Sequence, residues 1–327
     1  MACQFCGHEN LSGGVFCEKC GAIAVGHLDP RDPRLKEAKD QIRWDISKRR
    51  TSDRILSTWV IWIVVAMVIT TYIVALLPVL MIFSSNPSFD RISVTMDIAS
   101  TVSWVLSLIV PFLLAVLAYD LVKRHNEHSK RESWLKRDIG NLATVAASDP
   151  LRKGAVTREL QNLDFYGPMD TRDRRPWFWA MFVVLPAIAA AISAVFFTLT
   201  EQFYFSGMDV LLMGAAGLLS LFAVSIISLV AMLYMFHFLG QDLRNHEDRW
   251  DGFTSTSYVL LSKLGIPLRR RYEIILSPTR SSALYVVLAI FVPFYIYYWW
   301  YVLVKDPNEH YKNQWKFEDI LLESIGS

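Results

Sequence analysis

Charge is what the long apolar stretches of this chain lack, and cysteine is what it lacks beyond its first twenty residues. The second absence excludes a secreted fold stapled by disulfides along its length, because Cys3, Cys6, Cys17 and Cys20 are the whole supply of thiols. The first excludes a freely soluble domain. No Gly-rich phosphate loop, serine elbow or H-E-x-x-H helix is present, so no catalytic residue is nominated and no enzymatic activity is expected. Charged residues make up only 20% of the chain and the net charge is +2, without the basic excess that nucleic-acid binding requires. What the 327 residues do contain is 53% hydrophobic and 13% aromatic side chains.

These are gathered into five apolar segments, about 55–83, 93–122, 177–198, 209–239 and 282–304. At 1.5 Å per residue each reaches the ~30 Å of a bilayer's hydrocarbon core. Asp97, Asp120 and Asp209 lie near segment ends, while the centres hold apolar residues with Ser and Thr. Transporters keep costly charges at mid-bilayer, so this pattern argues against a transport path. The small-residue runs Ala187–Ala191 and Gly214–Gly217 suit close helix packing instead. The expected fold is an all-α polytopic membrane protein of helical hairpins with a small N-terminal metal-bound head.

That head is read from C-x-x-C, ten residues, C-x-x-C. A two-residue spacer brings both thiolates of a pair to one ion, and Gly7 and Gly21 supply the tight backbone each knuckle needs. Cys3, Cys6, Cys17 and Cys20 are therefore the expected ligands of a structural Zn²⁺, with two disulfides as the alternative. Residues 3–22 resemble the zinc-ribbon head found on many otherwise diverse prokaryotic proteins. Lys19 stands against Glu9 and Glu18, so protein contact is expected rather than nucleic acid.

The chain divides into the ribbon (1–27), a charged cytoplasmic linker (28–54), a first hairpin (55–122), a cytoplasmic loop (123–175), a second hairpin (176–240), a basic cytoplasmic loop (241–281), and a fifth membrane segment with its tail (282–327). The linker reads as a helix from Leu35 to Arg50, and Lys48, Arg49, Arg50 and Arg54 at its end suit anionic headgroups. Loop 123–175 holds twelve Lys and Arg and loop 241–281 seven, against none in 199–208. The positive-inside bias places the amino terminus and both long loops in the cytoplasm. No apolar run precedes Ile55, so no cleavable signal peptide is expected. Ser148-Asp149-Pro150 marks a helix start in the first loop, Ser255–Leu264 is a second amphipathic stretch, and Arg269–Arg271 follows it.

Residues 105–130 and 287–312 agree at thirteen of 26 positions without a gap, including Val110-Pro111-Phe112 with Val292-Pro293-Phe294 and Asn126-Glu127-His128 with Asn308-Glu309-His310. A weaker third copy surrounds Asn245-His246, and each histidine precedes a tryptophan: Trp134, Trp250 or Trp315. This reads as a repeated helix-exit module. Asp242 and Asp306 stand four residues before His246 and His310, a ligand-capable spacing, but an anchor at the lipid boundary is the favoured reading for the histidines. His237 is expected at the interface as well. A fifth full crossing is favoured over a re-entrant turn at Pro293, although crossing would place His310 on the opposite side from His128. Tyr298-Trp299-Trp300-Tyr301 followed by Lys305-Asp306-Pro307-Asn308 resembles a prokaryotic membrane-protein family of unknown function, without that family's Gly-Ile-Tyr element. The expected role is a non-catalytic accessory or scaffold subunit in the cell membrane, in contact with lipid and with other subunits of a membrane complex. A small-solute transporter or channel is the alternative.

Overall fold

The computed structural model describes residues 2–3, 6–9, 14–24, 28–29, 31–82, 89–167, 173–202, 207–268, 278, 280–292 and 294–326. Among the described residues ten helices follow in order: α1 (Pro33–Ser47), α2 (Arg49–Ser52), α3 (Trp59–Ile82), α4 (Phe89–Ala146), α5 (Pro150–Ala155), α6 (Thr157–Phe165), α7 (Pro176–Gln202), α8 (Gly207–Lys263), α9 (Ser282–Phe291) and α10 (Tyr295–Gly326). Among the described residues, strand-like pairing is limited to the isolated bridges Ala2–Glu9 and Phe16–Ile23 in the head. Four helices, α3, α4, α7 and α8, are long and apolar enough to cross a bilayer. The chain is thus an all-α, multi-pass membrane protein.

Two of these helices do not stop at the bilayer. α4 has 58 residues and α8 has 57, each roughly 85 Å long, or nearly three bilayer cores. The sequence pattern changes along them from uniformly apolar to amphipathic, and the buried positions show the switch. Beyond the span, α4 buries Leu135, Ile139, Leu142, Ala143 and Ala146, and α8 buries Trp250, Phe253, Leu260 and Leu261. Both sets recur at three- and four-residue steps, so each helix offers one stripe to a common core. The described parts of loops 123–175 and 241–281 are therefore largely helical, and each begins as a continuation of a span. The linker helix α1 adds Leu35, Ile42 and Ile46 to that core, α6 adds Leu163, and α10 adds Phe317, Leu321 and Ile325.

The helix start expected at Ser148-Asp149-Pro150 is present, with the Asp149 side chain accepting from the N–H groups of Leu151 and Arg152. The stretch Ser255–Leu264 is no separate helix but the last turns of α8, which stops at Lys263, and Arg269–Arg271 lies outside the described residues. A second apolar cluster forms where the spans meet the body, from Val64 of α3, Leu114, Leu117 and Leu121 of α4, Met235 and Phe236 of α8, and Trp299, Trp300 and Leu303 of α10.

The fifth apolar segment corrects the expectation of a full crossing. α9 ends after ten residues, roughly 15 Å, half the required thickness. Val292 is extended, Phe294 takes φ +68°, and α10 starts afresh at Tyr295. Pro293, which lies outside the described residues, separates Val292 from Phe294 in the sequence. The chain then returns to the body: the Ile325 carbonyl accepts from Arg43 of α1 at 3.1 Å, and α10 buries Glu318 against Arg131 of α4. The end of α10 therefore shares a side with α1, as a turn near Pro293 would give.

Asp45 of α1 is fully buried beside Asp138 of α4. Burial and then the neighbouring carboxyl push its pKa from 3.8 up to about 7. The folded protein binds this proton more tightly than the unfolded chain, so this group's contribution to stability falls as pH rises from 3.8 to about 7 and stays flat above. Asp45→Asn is expected to raise the unfolding midpoint at pH 8 and to leave it unchanged near pH 4. A variant with the same offset from the parent at both pH values contradicts the assignment.

Candidate metal centres

In the head, two knuckles repeat one backbone design. The Cys3 N–H donates to the His8 carbonyl and the Gly7 N–H to the Cys3 carbonyl, and Cys17, Ala22 and Gly21 make the corresponding pair of bonds. Gly7 and Gly21 both take φ +70°, which costs glycine little and other residues more. The cross-knuckle pairs Cys3–Cys20 and Cys6–Cys17 have Sγ–Sγ distances of 3.6 Å, and the four sulfurs lie within 4.8 Å of one another. Sulfurs bound tetrahedrally at ~2.3 Å stand about 3.8 Å apart, so this cluster can hold a metal ion. The head is built into the body: the Ile23 N–H donates to the Lys263 carbonyl at 2.7 Å, and Ile23 and Phe16 pack against the helical core.

A second cluster lies between the two apolar clusters, in a buried polar layer. His128 of α4, His246 of α8 and His310 of α10 meet there, with ring centroids 4.7, 5.1 and 5.5 Å apart and the rings nearly perpendicular. The sequence offered these three residues as boundary anchors; instead they turn inward and face one another. His128 and His310 are buried and His246 nearly so. Each ring presents its Nδ1 to a carboxylate on another segment or helix: His128 to Asp53 at 2.9 Å, His246 to Glu132 at 2.7 Å, and His310 to Glu247 at 3.2 Å. The Nε2 atoms of His128 and His246 are 3.3 Å apart, and the Nε2 of His310 is buried with no hydrogen-bond partner. Burial lowers the pKa of His128 despite Asp53, and it lowers that of His246 well below the ordinary value, helped by the other two rings.

The acids around the cluster are fixed by cations. Asp53, at the end of the linker, receives Arg131 at 2.6 Å and the Trp315 indole N–H at 2.8 Å. Burial raises its carboxyl, but His128, Arg131 and Trp315 more than reverse this and hold it well below the usual range. Glu132 is held by Lys136 at 2.6 Å. The aspartates that share helix faces with His246 and His310 turn elsewhere: Asp242 binds Arg174, and Asp306 binds Arg280 at 2.9 Å. His237 faces outward on α8. A cavity of about 80 Å³ reaches His128, His246 and Glu247, and Arg124, Arg244 and Tyr285 form parts of its wall.

Sequence spacing flagged the histidines but not their carboxylates, which come from 63 to 114 positions away. Compared with known proteins, the chain matches no family model, no curated protein and no solved structure.

Replacing Asp53 by Asn keeps its shape but removes the charge that faces His128 and one of the two buried carboxylates on Arg131, leaving Glu318 as the other. Breaking a buried pair this way costs about 3–5 kcal/mol. Glu127, half-exposed and no closer than 3.7 Å to its cations, serves as the control, and Glu127→Gln is expected to cost less than about 1 kcal/mol. Denaturant midpoints in detergent compare the two, and equal costs contradict the burial argument.

Proposed function

We propose that this chain is a non-catalytic accessory or scaffold subunit of a membrane complex, with its body in the cytoplasm and a structural Zn²⁺ on Cys3, Cys6, Cys17 and Cys20. The observation supporting this is how little of the spanning surface is used internally. Trp62, Ile73, Leu80, Ile98, Phe112, Ile192, Leu219, Phe222 and Val230 all point away from the chain's own core. Lipid can cover such faces, and so can the helices of other subunits, which the small residues of α7 and α8 would admit closely. The polar body offers the contrasting surface, with the metal-bound head fixed to it rather than carried on a free linker.

Of the basic cluster at the end of the linker, Arg49 is engaged by Asp319 at 2.6 Å, and Arg54 lies 3.7 Å from Glu127. Lys48 and Arg50 remain the residues best suited to anionic headgroups. The alternative, a small-solute transporter or channel, needs a wet path between the spans. Apart from Ser228, the side chains buried among the spans are apolar, Val64, Leu114, Leu117, Met235 and Phe236 among them, which favours the scaffold reading.

The reading predicts that the tagged chain, extracted from its native membrane in mild detergent, carries further membrane subunits at fixed stoichiometry; recovery as a lone, monodisperse chain contradicts it. For the head, Cys6→Ser with Cys20→Ser is expected to lower zinc by one per chain and to open the first ~28 residues to protease, since a structural zinc supplies such a fold with roughly 10–16 kcal/mol. The helical content should be retained. Unchanged zinc or an unchanged digestion pattern contradicts the metal's structural role.

A further inference from the structure

We infer that His128, His246 and His310 form a second metal site, a three-histidine centre of the Zn²⁺ class whose fourth position faces the cavity beside it. The argument starts from the ring nitrogens. Each Nδ1 lies against a carboxylate, Asp53, Glu132 or Glu247, and such a partner fixes the proton on Nδ1. The three Nε2 atoms are then lone pairs. Two of them stand 3.3 Å apart, and the third is buried without a hydrogen-bond donor. Two lone pairs facing each other at 3.3 Å repel unless a cation sits between them, and an unpaired buried acceptor such as the His310 Nε2 is itself costly.

A metal answers the geometry. Nitrogens bound tetrahedrally at 2.0–2.1 Å stand about 3.3–3.4 Å apart, close to the separation already present between His128 and His246. The ligating atoms of all three residues lie within 4.8 Å of one another. Carboxylates on the far nitrogens are the usual outer support of metal-bound histidines, because they orient the ring and strengthen it as a donor. Here all three have one, each supplied from a different place: the linker, α4 and α8. Lys136 and Arg131 in turn hold two of those carboxylates.

All-imidazole donors without thiolate suit Zn²⁺, with Cu²⁺, Ni²⁺ and Fe²⁺ as chemical neighbours. Three protein ligands leave a fourth position, the arrangement of an open site rather than a closed one such as the cysteine head. The cavity wall includes His128 and His246, so water or a small anion can occupy that position. The ion would also fasten α4, α8 and α10 at one level, beneath the spans. This inference does not depend on the scaffold reading: a lone chain in detergent would leave it standing, and the metal content can fail while co-purification succeeds.

The test is metal content of the full-length chain in detergent, after reloading with excess Zn²⁺ and desalting. Two zinc ions per chain are expected, falling to one in His310→Gln, with the near-ultraviolet circular dichroism serving to show that the variant is folded. Cys6→Ser with Cys20→Ser should also retain one. Loaded with Co²⁺, that cysteine variant should show visible ligand-field absorption without thiolate charge-transfer bands, and the signal should disappear when His246→Ala is added. One zinc per chain in the parent overturns the proposal. So does a folded His310→Gln chain that keeps two, or a Co²⁺-treated cysteine variant without ligand-field bands.

Discussion

Arg131 is the cation on which the arrangement of the body depends. It is almost wholly buried on α4 and gives one side of its guanidinium to Asp53 at 2.6 Å and another nitrogen to Glu318 at 2.7 Å. The linker, the first long helix and the last helix are thereby bound at one point. Buried ion pairs of this kind add little net stability, since desolvation offsets most of their attraction, but they tolerate few alternative packings. The cost is visible at Glu318, whose carboxyl burial pushes up to about 7 even beside Arg131. An arginine in this place needs both partners on its own side of the membrane, and that requirement is incompatible with a fifth crossing before α10.

The remainder of the structure follows from two helices changing solvent along their length. In lipid, α4 and α8 satisfy their backbone internally and can be apolar all round. Past the bilayer the same helices must hide one stripe and wet the other, which their sequences do at three- and four-residue spacing. Polar groups that fall between the spanning cluster and the body core are cut off from water on both sides. They pair with one another, and the three histidines with their carboxylates lie in that layer.

Much of this was legible in the sequence, and the failures have physical causes. The thiol pairs and their glycines defined the head, because all four cysteines fall within eighteen consecutive residues. The four spans followed from hydropathy. The fifth did not, because apolar composition continues unchanged through 292–294 while the helix does not; Pro293 was the available signal, and Pro111 in the matching copy sits inside an unbroken α4. The histidines stood out through their repeated context. Their convergence could not be read, since it depends on α10 turning back, and Asp53, Glu132 and Glu247 carry no motif that marks them as partners. The aspartates at helical spacing from His246 and His310 pointed to the wrong pairs, because Arg174 and Arg280 claim them.

What joins the head, the ionic layer and the histidine cluster is that α1, the lower half of α4 and the end of α10 occupy one compartment. Single cysteines at two exposed positions, Lys36 on α1 and Glu323 on α10, test this in sealed native vesicles with a membrane-impermeant maleimide. Peptide mapping separates their labels from those of the four native thiols. The account predicts that both positions react or both are protected before the vesicles are opened, whichever way the vesicles face. Reaction at one position with protection at the other would place the two helices on opposite sides and contradict it.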